Sequence, residues 1–364
     1  MKVLLLGDYS GFHYNLAKGL KKLGVNVTVA SEGDGWKNIT RDIDIKRPDN
    51  QNRITFLYKL YQNYHKLIGF DIVQLISPNF LMSSPYLSSA YFDFLKRKNG
   101  VFFTCATGMD YTYVKYALSG QLDYSVFYNT YIKDDPYINR MKLLASNKPL
   151  AKLEKKISTY CNGIIATSNG YYDAYKNSYP NKTTYIPLPI DTSEYSFVNT
   201  LKPETEKIKF FVGLMNDRIV IKGLDRILKV LRKLEINYPN EVEIEVVNSV
   251  PLKEYTKLLN SSHILCDQIY ANGLGMNAII AMAKGLIIGS CGGERFYATL
   301  GEYDNKPIID FNTSDEMIYF TLEKIITNRR SLYDRAIKSR EFVVKHFDCV
   351  KVAKQYIEYW KKFI

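Results

Sequence analysis

Residues 266–293 read CDQIYANGLGMNAIIAMAKGLIIGSCGG, and the way this stretch punctuates itself decides the fold. An apolar run, Ile264 to Cys266, leads into a loop that holds Gly273 and Gly275. Met276, Ile279, Ile280 and Met282 then recur on compatible helical spacings, with the small residues Ala278, Ala281 and Ala283 between them. Gly285 stands where such a helix stops, and Leu286 to Ile288 reads as the next buried strand. Strand, glycine loop, helix and strand make a βαβ unit. The loop opens a helix N-terminus, whose backbone N–H groups and positive dipole end suit a phosphate. It equally fits a tight turn with close helix packing, and this stretch alone leaves both readings open.

The same grammar repeats toward the N-terminus. Val3 to Leu6 is a continuous apolar run ended by Gly7-Asp8, and the loop from Tyr9 to His13 leads into a helix carrying Leu16, Leu20 and Leu23. Gly24 closes that helix, and Val25, Val27 and Val29 alternate as a second strand, so a parallel sheet is expected. Asp71 to Ile76, Val101 to Cys105 and Gly163 to Thr167 read as further strands. Residues 111–150 are crowded with tyrosine and show no clean strand. They are expected as helices and loops over one edge of the first domain, either a packed helical hairpin or a sugar-binding surface. Ile186 to Asp191 (IPLPID) carries two prolines, which disfavour helix and central strand, and marks a domain crossing. Beyond it a second series begins with a strand at Ile208 to Val212, a helix at Leu224 to Leu234 and an alternating strand at Glu241 to Val247. Helices are expected at 315–328, 331–344 and 350–363. The fold class is α/β, with two doubly wound domains at 1–190 and 191–348.

Length and composition agree. A chain of 364 residues with 46% hydrophobic content has room for two cores. No window approaches the roughly 18 uninterrupted apolar residues of a membrane span. Asp8 follows Met1–Gly7 too soon for the apolar core of a signal peptide, so a cytoplasmic protein is expected. Five scattered cysteines and four dispersed histidines lack metal-ligand spacing, and no metal is expected. The net charge of +12 favours an anionic partner such as a nucleotide or an acidic membrane surface. Residues 1–200 hold 24 basic against 16 acidic side chains. With no nucleic-acid motif and no long basic run, nucleic acid is not an expected partner.

Residues 213–223, GLMNDRIVIKG, follow an expected strand, and Arg218 and Lys222 lie four apart just ahead of an amphipathic helix. Two cations at the carboxyl end of a strand can grip a diphosphate, because that end faces the ligand crevice of an open α/β sheet. Solvated surface charges would give the same pattern.

In order and spacing these segments resemble glycosyltransferases of the GT-B fold, and among them the retaining enzymes of family 4. The resemblance rests on LLGDYSGFHYNLAKGLKKLGVNVTVAS at the N-terminus, then FDIVQLISP and YIPLPID. It continues through IKFFVG and RIVIKGLDRIL to the stretch quoted first. It implies two Rossmann-like domains facing a cleft, with a nucleotide sugar held mainly by the second. The helix at about 349–364, with Trp360, would cross back to the first domain. Arg218 and Lys222 fall on the family's diphosphate positions, beside the Gly273–Gly275 helix end, and Gly11 falls on the loop facing the donor phosphates from the first domain. Gly292 and Gly293, followed by Glu294, fall where the family brings backbone near the transferred sugar. The implied reaction is metal-independent transfer to a glycan or lipid-linked acceptor in surface polysaccharide synthesis, with no cofactor beyond the nucleotide-sugar co-substrate.

The chain departs from the family at its signature, Glu-x7-Glu, where it has Asn272 and Ile280. Isoleucine accepts no hydrogen bond from a ribose. The family's first-domain histidine is also replaced, with Thr107 near that position in TCATGMDYTY. Asp110 becomes the nearest acidic candidate for catalysis, with Asp8, Asp267 and Glu294 as others. Two alternatives stay open: a non-catalytic GT-B protein that binds a glycan or partners another transferase, and a sugar-nucleotide epimerase. Residues 53–69 (RITFLYKLYQNYHKLIG) mix basic and aromatic residues at helical spacing, which fits either weak association with an anionic membrane, peripheral at its inner face, or an ordinary core-facing helix.

Overall fold

The computed structural model describes residues 1–47, 53–128, 135–199, 207–215, 218–311 and 314–364. Compactness divides the chain into two units. The first comprises Met1–Ser119, Met141–Asp191 and Asp348–Ile364; the second comprises Gly120–Arg140 and Thr192–Phe347.

In the first unit the described strands are β1 (Lys2–Leu6), β2 (Asn26–Ser31), β3 (Ile43–Asp44), β4 (Ile72–Leu75), β5 (Val101–Ala106), β6 (Gly163–Ala166) and β7 (Thr183–Tyr185). They form one sheet in the order β3-β2-β1-β4-β5-β6-β7, and every pair is parallel. Val3 to Leu6 are completely buried, as expected of a strand covered on both faces. The C-terminal helix Cys349–Trp360 packs against the helix Phe12–Lys22. Gly19 makes that approach possible, since a Cβ there would collide with the Cys349 carbonyl. Trp360 is fully buried, and its indole N–H donates to Gln74 on β4.

The second unit holds β8 (Ile208–Leu214), β9 (Val242–Asn248), β10 (Ile264–Cys266), β11 (Ile287–Ser290) and β12 (Ile309–Asp310), in the order β12-β11-β10-β8-β9. These pairs are parallel too. Its core gathers Phe210 and Val212 of β8, Ile227 and Leu231 of the helix Leu224–Asn237, and Phe311 and Ile318 beyond β12.

Each sheet reverses its winding once, between β1 and β4 in the first and between β8 and β10 in the second. Outside the carboxyl ends of strands at such a point lies the crevice where open α/β sheets bind ligands. Two-residue strands such as β3 and β12 carry no periodicity, and the sequence pattern does not show them. Residues 111–150 are read from sequence as cover for the first domain, but Gly120–Arg140 fall with the second unit. Polar bonds hold them there: Asn272 donates to the Tyr124 carbonyl, and Arg295 pairs with Asp123. No described helix is long and apolar enough to cross a membrane.

Candidate functional site

The site is clearest at the switch point of the second sheet. Past Leu214, Arg218 stands at the N-cap of the short helix Ile219–Lys222. Gly223, at φ +71°, ends that helix and starts Leu224–Asn237, a backbone sign that L side chains rarely adopt. Arg218 is exposed. Lys222 instead reaches the end of β10, where its ammonium lies 2.8 Å from an Asp267 carboxylate that is 2% exposed. The Lys222 carbonyl accepts from the Ile269 N–H, so main chain and side chain both tie it to the β10 loop. Residues Asn216 and Asp217 of the same loop lie outside the described residues.

That β10 loop runs through Gly273, whose carbonyl accepts from the Cys291 thiol at 2.8 Å and from Gln268 at 3.4 Å. Gly275 then caps the helix Met276–Ala283 in an extended conformation (φ −89°, ψ 167°), and no described side chain caps this N-terminus. A Cβ on Gly275 would meet nothing within 4 Å. The helix buries Met276, Ala278, Ile279 and Met282, while Asn277 and Ile280 are only half-buried. Ile280 is therefore not a core residue. The Tyr255 hydroxyl, packed on Gly213 of β8, donates to Asn277.

The remaining sugar-region candidates are engaged otherwise. Asn272 is bound to the Tyr124 carbonyl at 2.8 Å. The Gly292 N–H donates to Asp310 at the end of β12, and Gly293 caps the six-residue helix Glu294–Thr299. The Glu294 carboxylate is exposed and paired with Lys306.

In the first unit the corresponding junction is already filled. Gly7 (φ +83°) lies where a Cβ would strike Ile76, and Asp8 next to it turns inward with no exposure. Its two carboxylate oxygens accept from the backbone N–H groups of His13 (3.3 Å) and Tyr14 (2.9 Å), the first turn of the helix Phe12–Lys22. Burial pushes this carboxyl up to about 7 against those two bonds. Gly11 sits at φ +80° in the same loop, and its carbonyl accepts from Asn15. The buried His13 ring contacts the Gly7 carbonyl at 2.6 Å, and burial pulls it down to about 3.

Asp110 has a structural occupation. It caps the helix Tyr111–Leu118 by accepting from the Tyr113 N–H at 2.9 Å, and it accepts from the buried Tyr175 hydroxyl at 2.6 Å. Glu154 reaches the same helix end and takes the Tyr111 and Thr112 N–H groups and the Thr112 hydroxyl. Burial raises both carboxyls, and the Asp110 charge raises Glu154 further.

Among the described residues no group of three or more His, Cys, Asp and Glu side chains is placed to hold a metal ion. The structure thus brings Arg218, Lys222, Gly273 and Gly275 to neighbouring loops of one sheet, while Asp110 and Glu294 are spent on other contacts. Sequence reasoning missed Asp310 and Tyr255, gave Tyr124 only as one of the crowded tyrosines of 111–150, and took Asp267 as an acid rather than as the lysine's partner. None of the four belongs to a spacing pattern, because each is set by a neighbour distant in sequence.

The model of Glycosyltransferase Family 4 matches residues 12–194. No curated protein sequence matches the chain. Among solved structures, sucrose-phosphate synthase from Thermosynechococcus elongatus superposes with TM-score 0.63 at 15% identity, covering 100% of this chain and 99% of that one. Anabaena HepE in complex with UDP and glucose gives 0.58 at 13% identity, covering 99% of each chain. WaaG, a glycosyltransferase involved in lipopolysaccharide biosynthesis, gives 0.55 at 14% identity and 98% of each. At such identities the likeness is one of fold, and the fold is GT-B.

Proposed function

Because this chain belongs to glycosyltransferase family 4, we propose that it moves a sugar from a nucleotide-diphosphate donor to a glycan or lipid-linked glycan. The work is cytoplasmic and serves a surface polysaccharide. The observation that carries this reading is the cluster at the β8/β10 switch point. Lys222 is tied to the glycine loop past β10, whose helix N-terminus has no described side-chain cap, and Arg218 stands exposed at the end of the adjacent β8. In the reaction an acceptor hydroxyl attacks the anomeric carbon, the bond from that carbon to the diphosphate oxygen breaks, and its electron pair leaves with the diphosphate. The two side-chain cations and the helix dipole stabilise the charge that develops on the leaving group. We assign retention of anomeric configuration on family membership alone.

A nucleotide-diphosphate donor is supported by HepE, a similar structure that is in complex with UDP and glucose. The proximity of WaaG in fold supports a surface-polysaccharide role. A second reading, a non-catalytic member that binds glycan, draws on three local facts. Ile280 offers no hydrogen bond, Asn272 is held by Tyr124, and Asp110 is occupied as a helix cap. Incubation with a panel of nucleotide sugars and glycan acceptors separates the two readings. Acceptor-dependent release of nucleoside diphosphate supports the transferase, and nucleotide binding without turnover on any acceptor supports the second. Isomerised sugar released without an acceptor would point to an epimerase.

A further inference from the structure

We propose that one face of the first unit docks on an anionic lipid surface, through an aromatic stripe on the helix Arg53–Tyr64 and a lysine-rimmed groove two helices away. The inference does not depend on the transferase chemistry. The helix turns Phe56 and Leu60 into the core, at 4% and 1% exposure. Its other face presents Ile54, Leu57, Tyr58 and Tyr61 at 77%, 48%, 59% and 75% exposure. Their spacing (i, i+3, i+4, i+7) makes one continuous stripe, which a soluble helix would normally fill with charge. Of the two readings open in the sequence, the core-facing one accounts for only half of the helix.

The stripe continues onto its neighbours. Tyr64 packs on the exposed Phe94 with ring centroids 4.4 Å apart, and the Tyr91 hydroxyl donates to the Leu60 carbonyl. Both belong to the helix Pro85–Leu95, which is joined in turn to the helix Lys148–Tyr160 by bonds from Lys156 to Asp93 and Ser89. Between those two helices lies an open groove of about 680 Å³, with Phe92 and Tyr160 as its floor and Lys96, Lys152, Lys155 and Lys156 around it.

Charge selects the occupant. Residues 53–69, 85–99 and 148–160 together carry ten Lys and Arg against two carboxylates, Asp93 and Glu154, and of the ten Lys59 is paired with Asp44 of β3. Asp93 is paired with Lys96 and Lys156, and Glu154 is buried under the helix Tyr111–Leu118. No acidic side chain of these segments is left to repel an anion. Aromatic residues flanked by lysines suit the boundary between acyl chains and anionic headgroups, the rings entering the interface while the ammonium groups meet phosphates.

Co-sedimentation of the whole chain with vesicles tests this directly, using phosphatidylcholine alone and phosphatidylcholine mixed with phosphatidylglycerol. The wild type is expected to bind the mixed vesicles at low salt, to ignore the neutral ones, and to be released by high salt. The double variant Leu57→Ser/Tyr61→Ser is expected to bind roughly tenfold or more weakly through lost apolar burial. Lys152→Glu/Lys155→Glu is expected to weaken binding by a similar, salt-sensitive factor, roughly tenfold. All four positions are exposed, and an unchanged thermal melt confirms that the variants fold. Absence of binding at low salt, equal binding to both vesicle types, or full binding by folded variants overturns the proposal. So does a concentration-dependent dimer that the Leu57→Ser/Tyr61→Ser variant abolishes, because the stripe would then belong to a second copy of the chain.

Discussion

Both units place a glycine loop between a central strand and a helix, and they treat the helix N-terminus in opposite ways. After β1, Asp8 folds inward and its carboxylate takes the N–H groups of His13 and Tyr14. After β10, the helix Met276–Ala283 begins at Gly275 with no described side-chain cap and with open space where a Cβ would stand. The first junction carries its own acceptor, a carboxyl that burial pushes up to about 7; the second leaves the dipole end available for an anion. A glycine loop at a switch point is therefore not sufficient evidence of a phosphate site, and the deciding detail is what already fills the helix end. On this comparison we propose that the donor diphosphate is held by the second unit, beside Arg218 and Lys222.

The largest effect that can break the comparison is expected from Lys222→Ala. Removing a charge proposed to act on the leaving diphosphate should cost about 2–4 kcal/mol in kcat/KM, roughly one and a half to three orders of magnitude. Lys222 also neutralises the buried Asp267, so the single variant should lose stability as well. The double variant Lys222→Ala/Asp267→Asn should recover the melting temperature without recovering turnover. If turnover returns together with stability, Lys222 is a structural residue and the site assignment falls.

Ile280→Glu sharpens the same site from the other side. Ile280 is half-buried, so an introduced carboxylate keeps access to water, and in the proposed site it would reach a ribose hydroxyl. A charged hydrogen bond of about 1.5–3 kcal/mol would tighten nucleotide binding by roughly one to two orders of magnitude. Calorimetric titration with nucleoside diphosphates measures it. Unchanged affinity would place the ribose elsewhere.

A smaller effect is expected from Asp8→Asn in the first unit. An amide still accepts one N–H, so the loss of capping should cost only about 0.5–2 kcal/mol. The pH dependence is more telling. Asp8 rises from its ordinary 3.8 to about 7 in the fold, so between those values the folded chain binds the proton more tightly than the unfolded chain. Its contribution to stability is then fully present below about pH 4 and is lost as pH rises toward 7. Glu302 in the second unit works the other way. The backbone N–H of Asn305, with Lys345, His346 and the Asp304 N–H, holds its carboxyl well below the usual range, so its contribution is fully present above the ordinary value of 4.5 and is lost progressively as pH falls below it. Asp8→Asn should flatten the wild-type decline in melting temperature across pH 4–7, and an unaltered slope would show that Asp8 is not the group responsible.

The sequence carries the two doubly wound units well, because buried parallel strands such as Val3 to Leu6 and Ile264 to Cys266 are apolar runs ended by glycine. The placement of Arg218, Lys222, Gly273 and Gly275 past strand ends is equally legible, since each lies a few residues beyond such a run. The inward turn of Asp8 is not, because an aspartate after a strand looks the same whether it caps a helix or meets a substrate. Asp110 illustrates the point: its sequence neighbours make it the nearest acid, yet Tyr175, 65 residues away, and the Tyr113 N–H occupy it. The placing of Gly120–Arg140 with the second unit likewise depends on polar bonds that no periodicity records.

The central claim, that an unfilled helix end makes the anion site, can be tested by giving the second junction the cap that the first already has. Gly275 has the extended backbone of an N-cap and room for a Cβ, so Gly275→Asp is sterically admitted. Calorimetric titration of this variant and of wild type with a nucleoside diphosphate, alongside a thermal melt, reads both consequences at once. The expected result is a variant that melts higher than wild type, because its helix is capped, and that has lost most of its diphosphate affinity to the carboxylate now occupying the site. A variant with the raised melting temperature and undiminished diphosphate affinity would contradict the account.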